Sequence, residues 1–375
     1  MAGVLAWRNL THDLSRFIVT MVGVVFAVVL IAMELGLYQG FTTSTTTVIR
    51  HTNADLWIMA KGTRNFEITV PIHDRELYAA KSLECVDRAE GLVTQFVPWK
   101  KPGGGDESVF LVGFDLNSGL AGPWNLVDGD LEDLRRSDSI VVDHIYADKL
   151  GVSGIGDRVE INRHRARIVG MTQGIRSFTT SPWVFTAART AQRMGNFEAS
   201  DWNYVLVDVE PGCDPVRVQA TLKAILPEAD VHSVDELAAL TRDYWVFTTG
   251  AGASVLVSAI LGVVVGVVIV AQVLYATTVD HLTEFGTLRA MGAPSGFIYR
   301  VILGQAVISA TIGHLFGISI AMALAEASET GTVLVVVSPA MAAWLFLLTL
   351  AMCVAAAVVS IRKAMRIDPA MVFQR

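Results

Sequence analysis

The stretch "GASVLVSAILGVVVGVVIV", Gly252–Val270, contains no charged residue. An α-helix needs about 20 mostly apolar residues to cross the hydrocarbon core of a bilayer. This stretch therefore predicts a membrane-spanning helix, which we place at residues 248–278. Similar apolar runs occupy residues 17–40, 298–325 and 339–361. Because 52% of the 375 residues are also hydrophobic, we interpret the chain as a membrane protein with four transmembrane helices.

Residues 41–247, between the first two runs, have the composition of a soluble domain. Short runs rich in Val, Ile and aromatic residues predict strands, which begin near residues 53, 108, 139, 157, 166, 182 and 203. "PGGGDES", from Pro102, predicts a hairpin turn. Segments that begin at Asp214 and Ser233 predict helices, because both residues are favourable N-caps. The domain is therefore α+β. Since little turn signal separates Trp245 from Gly250, its last helix should continue almost directly into the second span.

Lys and Arg residues in short flanking segments set the orientation of membrane spans. They occur before the first span, around the loop at residues 279–297 and in the basic tail at residues 362–375; the loop at residues 326–338 has none. The residues concerned are Arg8, Arg16, Arg289, Arg300, Arg362, Lys363, Arg366 and Arg375. We therefore expect both termini and the loop 279–297 in the cytoplasm. The large domain should face the periplasm or exterior of a cell whose inner (cytoplasmic) membrane holds the protein.

The N-terminal segment places Trp7, Leu10, Leu14 and Phe17 at helical spacing, which predicts that residues 1–16 form a cytoplasmic helix lying on the membrane surface. A cleaved signal peptide is the alternative interpretation. The apolar run from Phe17 is longer than a signal core and is followed by no clear cleavage site. We therefore expect an uncleaved first span.

The sequence contains none of the catalytic motifs that would indicate an enzyme. It has no G-x-x-x-x-G-K-[ST] phosphate-binding loop, no H-E-x-x-H zinc motif and no G-x-S-x-G nucleophile elbow. We expect no enzyme activity, metal or cofactor in this chain, and no nucleic-acid partner. Cys85 and Cys213 would pair only in an oxidising compartment, and the sequence leaves their pairing open.

Polar residues inside membrane spans are costly, so each needs a reason. Glu34 lies roughly 27 Å of helix beyond Arg16, and His314 lies at a similar depth in the third span. One hypothesis is that Glu34 and His314 meet, or line a cavity that opens outward, with Tyr38 nearby. The alternative is that Glu34 reaches the outer interface while His314 binds a backbone carbonyl.

The second span contains small residues at a spacing of four, namely Ser258, Gly262 and Gly266. Such a stripe lets another helix approach closely. Four spans make a thin bundle for a transport route, so the stripe suggests a homodimer or a pairing with a similar subunit. Packing within one chain is the alternative.

The loop "TVDHLTEFGTLRAMGAPSGF", Thr278–Phe297, predicts a short capped helix. Glu284 in its first turn and Arg289 in its last would complement the helix dipole, while Gly292 would end the helix. The side chains of Phe285, Leu288 and Met291 share one face. An apolar face with charged edges is typical of a helix that binds in a partner's groove, although it could instead rest on the membrane surface.

The stretch "EFGTLRAMGA" resembles the E-x-G-x-L-R-A-x-G-A signature of FtsX-like permeases, the membrane subunits of the MacB/LolC/DevC (type VII) class of ABC transporters. The shared residues are Glu284, Gly286, Leu288, Arg289, Ala290, Gly292 and Ala293. The order of the segments is also similar: a surface helix, one span, a large external domain, three spans and a basic tail. Among these permeases the chain is most similar to the DevC-like exporters.

The resemblance implies that the loop is a coupling helix, which contacts a separate ATPase subunit. The contact residues would be Glu284, Phe285, Gly286, Leu288, Arg289, Met291 and Gly292. That ATPase dimer would bind ATP and Mg²⁺. The implied function is mechanotransmission: export or extraction of a lipid-like or hydrophobic substrate, with membrane lipids, a second copy, a periplasmic adaptor and an outer-membrane channel as partners. The alternatives are lipoprotein release of the LolC type and FtsX-like regulation of an external hydrolase or sensor.

Overall fold

A computed structural model describes residues 2–12, 14–179, 181–280, 287, 291–329 and 331–364. The chain forms two compact units. The first, called here the membrane unit, comprises Met1–Gln39, Ser254–Ala327 and Val335–Arg375. The second, the external unit, comprises Gly40–Ala253 and Ser328–Leu334.

The helices alternate with a long series of strands between the first and second spans. The helices are α1 (Ala2–His12), α2 (Leu14–Ser44), α3 (Thr47–Arg50), α4 (Asp74–Lys81), α5 (Ala147–Leu150), α6 (Ala188–Gly195), α7 (Pro215–Ile225), α8 (Val234–Asp243), α9 (Ala251–Asp280), α10 (Ser295–Ser328) and α11 (Pro339–Ala364). The strands are β1 (Leu56–Ala60), β2 (Ile72–His73), β3 (Val86–Lys100), β4 (Asp106–Phe114), β5 (Leu126–Gly129), β6 (Ser139–Asp143), β7 (Arg158–Ile161), β8 (His164–Thr172), β9 (Trp183–Ala187), β10 (Asp201–Trp202), β11 (Tyr204–Val209) and β12 (Ala229–Ser233).

The membrane unit contains four helices, α2, α9, α10 and α11, that are long and apolar enough to cross a membrane. This confirms the four predicted spans within the described residues. Two glycines of α10 allow it to approach α2 closely: a Cβ on Gly313 would lie 2.4 Å from Val24, and one on Gly317 would lie 2.7 Å from Val28. Real Cβ atoms do not come this close to other side chains, so both positions need glycine.

The external unit is built on a sheet with the strand order β12-β1-β11-β3-β4-β9-β6-β8-β5. The 15-residue β3 belongs to both halves of the sheet, because its first half pairs with β11 and its second half pairs with β4. Helices α4, α6, α7 and α8 pack on the sheet. The α+β prediction for this region is therefore confirmed. The bounds of β6 also agree with the predicted strand at residues 139–143.

Aromatic side chains fill the core between the two halves of the sheet. Trp57, Phe66, Phe110, Trp183 and Tyr204 are all buried, and their ring centroids lie 4.8 to 6.0 Å apart in successive pairs. Edge-to-face and offset contacts at such distances add about 0.5–1.5 kcal/mol each beyond the buried area.

Local signals placed α7 and α8 correctly. The Asp214 carboxylate accepts a hydrogen bond from the Val216 N–H at 3.0 Å, and Ser233 forms a capping box with Glu236. The connection from α8 to the second span is short, as predicted, but it is not a continuous α-helix. Residues Tyr244–Thr248 form a π-helical turn, and Gly250 breaks the chain direction with a φ of +75°.

A disulfide joins Cys85 to Cys213, with a Cα–Cα distance of 5.9 Å. It connects the start of β3 to the turn before α7, across a sequence separation of 128 residues. The pairing that the sequence left open is therefore formed in the external unit.

Candidate functional site

One loop of the external unit contacts three chain segments that continue into membrane spans. The loop follows β8 and includes Arg176 and Phe178. Its Phe178 ring lies 5.5 Å from Phe41, in the last turns of α2, and 4.6 Å from Trp245, in the π-helical turn before α9. Both distances are between ring centroids. We call this loop, residues 173–179, the junction loop.

Arg176 provides the third contact. Its Nε donates a hydrogen bond to the backbone oxygen of Gly331 at 3.0 Å, and its Nη2 donates to the backbone oxygen of Glu329. Gly331 and Glu329 belong to the segment between α10 and α11. A guanidinium that binds two backbone oxygens fixes the position of that segment, because its planar fork holds both donors in one geometry.

The junction loop is anchored to the interior of the external unit. The buried Asp143 carboxylate, at the end of β6, accepts hydrogen bonds from the Ile175 N–H at 2.8 Å and from the Thr172 hydroxyl at 2.9 Å. The Tyr146 hydroxyl accepts a hydrogen bond from the Ser177 N–H at 3.1 Å. A displacement of the loop would therefore move the β6 end of the sheet as well.

Trp245 also contacts a buried carboxyl group. Its Nε1 donates a hydrogen bond to Oε2 of Glu67 at 2.8 Å. Glu67 is only 8% exposed, and burial raises its pKa to about 7, although the hydrogen bond from Trp245 favours the ionised form. The Tyr204 hydroxyl donates to the neighbouring Phe66 carbonyl at 2.8 Å, and burial raises the pKa of Tyr204 well above its usual value. These bonds attach the π-helical turn to the core of the sheet.

The structure gives different neighbours to the polar residues that we singled out inside the membrane. The Cγ of Glu34 lies 3.0 Å from the position of a Cβ on Gly262, so this side chain packs against α9. His314 is 6% exposed, and its ring lies 5.2 Å from that of Phe346 in α11. Within the described residues, His314 Nδ1 has no hydrogen-bond partner. Tyr38 is half-buried in α2. A functional role for Glu34, Tyr38 and His314 stays a prediction.

The predicted packing stripe of α9 faces α2 of the same chain. Gly262 and Gly266 are both buried, and a Cβ on Gly266 would lie 2.7 Å from Ile31. Ser258 lies off this contact, because it is exposed whereas Ala259 is buried, and its role in helix packing stays a prediction. A helix has 3.6 residues per turn, so a repeat of four drifts off one face.

The predicted coupling loop lies mostly outside the described residues. This applies to Glu284, Phe285, Gly286, Leu288 and Arg289. Thr287 is helical, and its backbone oxygen accepts a hydrogen bond from the Met291 N–H at 3.0 Å. Met291 is 72% exposed, and Gly292 has a φ of +91°. A glycine in the left-handed region is the usual end of a helix.

Sequence reasoning missed the junction loop and Glu67. Arg176 and Gly331 lie 155 residues apart, and Glu67 and Trp245 lie 178 apart, so no local pattern could join them. The signal that was present is Trp245 itself, because aromatic residues are frequent at the ends of membrane spans.

Within the described residues, no group of three or more His, Cys, Asp or Glu side chains could hold a metal ion.

Comparison with known families gives the class of the protein. Residues 17–225 match the MacB-like periplasmic core domain, and residues 256–369 match the FtsX-like permease C-terminal region. The first match covers more than half of the chain. The chain therefore belongs to the ABC transporter permeases of the MacB/FtsX type.

Individual relatives agree with this class. The chain is similar to an uncharacterised ABC transporter permease found in two strains of Mycobacterium tuberculosis, with 24% identity over 224 residues. The match covers 58% of this chain and 58% of each relative.

Two solved structures are also similar. The periplasmic region of MacB from Actinobacillus actinomycetemcomitans has a TM-score of 0.40 and 12% identity over 50% of this chain and 92% of that chain. The extracellular domain of the transporter YknZ from Gram-positive bacteria has a TM-score of 0.36 and 14% identity over 48% of this chain and 98% of that chain.

Proposed function

We propose that the chain transmits the motion of a separate ABC ATPase dimer to its external unit, and thereby exports or extracts a lipid-like or hydrophobic substrate. The observation that carries this proposal is the junction loop. Arg176 and Phe178 connect one anchored loop to segments that continue into all four spans. A motion of the spans relative to one another would therefore reach β6 through Asp143 and Tyr146.

The orientation that this mechanism needs has two supports. Basic residues lie around the loop 279–297 and within the tail 362–375, as expected for cytoplasmic segments. The disulfide of Cys85 with Cys213 fits an oxidising compartment, such as the periplasm, for the external unit. We place the protein in the inner membrane on these grounds, with the coupling loop on the ATPase side.

The other partners are part of the proposal. The exposed face of α9, which includes Val257, Leu261, Val264 and Val268, leaves room for membrane lipids or for a second copy of the chain. A DevC-like exporter would also need a periplasmic adaptor and an outer-membrane channel. ATP and Mg²⁺ would bind to the ATPase.

The test uses the full chain, reconstituted in nanodiscs with its ATPase. Arg176→Ala removes the hydrogen bonds to Gly331 and Glu329. We expect normal assembly and ATP hydrolysis. The ATP-dependent change in distance between spin labels on the external unit should be reduced about fivefold or more. A fivefold change is about the lower end of typical coupling between two sites. The matched control is Arg217→Ala, which removes an exposed arginine whose ion pair, with Asp214, lies within its own helix turn.

A second pair of variants tests the other end of the same route. Glu284→Lys and Arg289→Glu should weaken ATPase binding or uncouple hydrolysis from motion without unfolding the chain. Normal motion in Arg176→Ala would contradict the role of the junction loop, and normal motion in both loop variants would contradict the coupling helix. Changed release of lipoproteins, or changed wall hydrolysis with unchanged export, would favour the LolC-like or the FtsX-like alternative instead.

A further inference from the structure

A second feature of the external unit is a cleft of about 1080 Å³ beside the first half of β3. At its floor, β3 contributes Glu90 and Gly91. Its apolar wall includes Phe114, Leu116 and Trp202. The cleft is therefore large enough for an organic molecule, and its walls are partly apolar, as in most small-molecule sites.

Glu90 is buried in this cleft without a partner. Its side chain is 3% exposed, and within the described residues neither carboxyl oxygen has a hydrogen-bond partner. The Ser118 hydroxyl, close to Glu90, donates to the Asp115 backbone oxygen at 3.3 Å and accepts from the Leu120 N–H at 3.1 Å. The Arg88 guanidinium is bound to Asp208 and to the Ser118 backbone oxygen. Ser118 and Arg88 thus have hydrogen-bond partners other than Glu90.

This arrangement is unfavourable for the empty protein. Burial raises the pKa of Glu90 to about 7, and the negative charge of Asp115 adds to this effect, while Ser118, the Ala121 backbone and Arg88 offset it in part. Buried polar groups in folded proteins nearly always have a hydrogen-bond partner. A carboxyl group that lacks one at the floor of a cleft is suited to a ligand that supplies the donors.

Basic residues outnumber acidic ones along the cleft, five to three, but the charges next to Glu90 favour a cationic group. Three of the four arginines that line the cleft form ion pairs: Arg135 with Glu132, Arg136 with Asp133, and Arg193 with Asp138. The charged groups that line the cleft are Asp74 and Lys81 of α4, Glu90 of β3, Asp115 after β4, Arg135 and Arg136 before β6, and Arg189 and Arg193 of α6. Next to Glu90, Asp115 adds a second negative charge.

We propose that this cleft binds an organic cation. A primary ammonium or guanidinium group donates hydrogen bonds to the Glu90 carboxylate, and the apolar body of the ligand packs on Phe114, Leu116 and Trp202. The inference does not depend on the proposed transport function. Binding is measured with this chain alone, without the ATPase.

The test is binding of 1-naphthylmethylamine to the full chain in nanodiscs, measured by isothermal titration calorimetry. The uncharged 1-naphthylmethanol has the same ring system and controls for apolar partitioning. We expect the amine to bind about tenfold more tightly at pH 8 than at pH 6. A carboxyl group with a pKa near 7 is about one-tenth ionised at pH 6 and about nine-tenths ionised at pH 8. The alcohol should show no such dependence.

Glu90→Gln keeps the shape of the side chain and removes its charge. We expect this variant to weaken amine binding about tenfold or more at pH 8 and to abolish the pH dependence, with an unchanged unfolding curve at pH 5. The control Asp235→Asn removes a carboxylate that does not line the cleft and whose ion-pair partner, Arg50, does not line it either, so this variant should bind the amine normally. Equal amine binding by wild type and Glu90→Gln, no amine binding by wild type, or equal binding of amine and alcohol would each overturn the proposal.

Discussion

Two of the buried glutamates of the external unit, Glu67 and Glu90, differ in whether their carboxyl group accepts a hydrogen bond. Burial raises the pKa of each to about 7. Glu67 accepts a hydrogen bond from Trp245, whereas neither oxygen of Glu90 has a partner within the described residues. The same loss of hydration thus occurs in two settings. A carboxyl group with a donor can hold a structure together, while one without a donor beside a cleft is suited to a ligand.

The largest effect expected from this comparison is a pH dependence of stability. In the unfolded chain both carboxyl groups have ordinary pKa values near 4.5. In the folded chain both bind protons more tightly, so their favourable contribution is complete below pH 4.5 and is lost as the pH rises through about 7. A shift of this size corresponds to about 3 kcal/mol for each group. The free energy of unfolding should therefore fall between pH 4.5 and pH 8.

Urea unfolding of the full chain in nanodiscs, followed by tryptophan fluorescence, measures this dependence. Most of the tryptophans report on the external unit, including Trp57, Trp183 and Trp245. Glu67→Gln and Glu90→Gln should each remove about half of the pH dependence and the double variant most of it, at about 3 kcal/mol per group. If the unfolding free energy of the wild type depended on pH as little as that of the double variant, neither carboxyl group would be shielded from water.

The next effect is the loss of stability when the hydrogen bond from Trp245 to Glu67 is removed. Trp245→Phe keeps an aromatic ring beside Phe178 but removes the donor to Glu67. We expect a loss of about 1.5–3 kcal/mol at pH 8, where Glu67 is largely ionised, and of about 1 kcal/mol at pH 5, because hydrogen bonds to charged groups are stronger.

The matched control is Trp202→Phe. Trp202 lies in the cleft, and its Nε1 donates to Asp74 at 2.7 Å. Asp74 is only half-buried, so water can replace the lost donor. We expect a loss below about 1 kcal/mol. Equal losses of unfolding free energy in the two variants would mean that the bond between Trp245 and Glu67 stabilises the fold no more than the bond between Trp202 and Asp74.

The sequence predicted the parts of this fold whose signals are local. The spans follow from apolar length, α7 and α8 follow from their caps, and β6 follows from a short run of apolar residues. Strand β3 was missed because charged residues, Gly91 and Pro98 interrupt its pattern. Its position depends on pairing with β11, more than 100 residues later in the chain.

The same limit applies to the candidate sites. The sequence shows that Glu90 is acidic, but a charged residue in a strand usually faces water, and only the packing of the segment around Ser118 reveals its burial. The junction loop likewise needs the fold, since Arg176 reaches a segment that lies far away in sequence. The coupling loop could be found from its motif because all of its residues are adjacent.

The smallest effect concerns a third carboxylate close to the cleft, Asp138. Its side chain pairs with Arg193, and both side chains are nearly half exposed. Surface ion pairs of this kind contribute about 0–1 kcal/mol. Asp138 has a φ of +61°, and asparagine tolerates this left-handed backbone as well as aspartate does. Asp138→Asn should therefore change the free energy of unfolding by less than about 1 kcal/mol.

This last variant decides whether the stability effects at Glu67 and Glu90 come from their burial or only from the removal of a negative charge. If Asp138→Asn altered stability as much as Glu90→Gln at pH 8, the removal of any carboxylate from this part of the surface would suffice, and the comparison would fail. If its effect stays small, the cost at Glu90 comes from desolvation without a donor. The ligand proposed for the cleft would remove that cost, because its N–H groups would bind the oxygens that the protein leaves unpartnered.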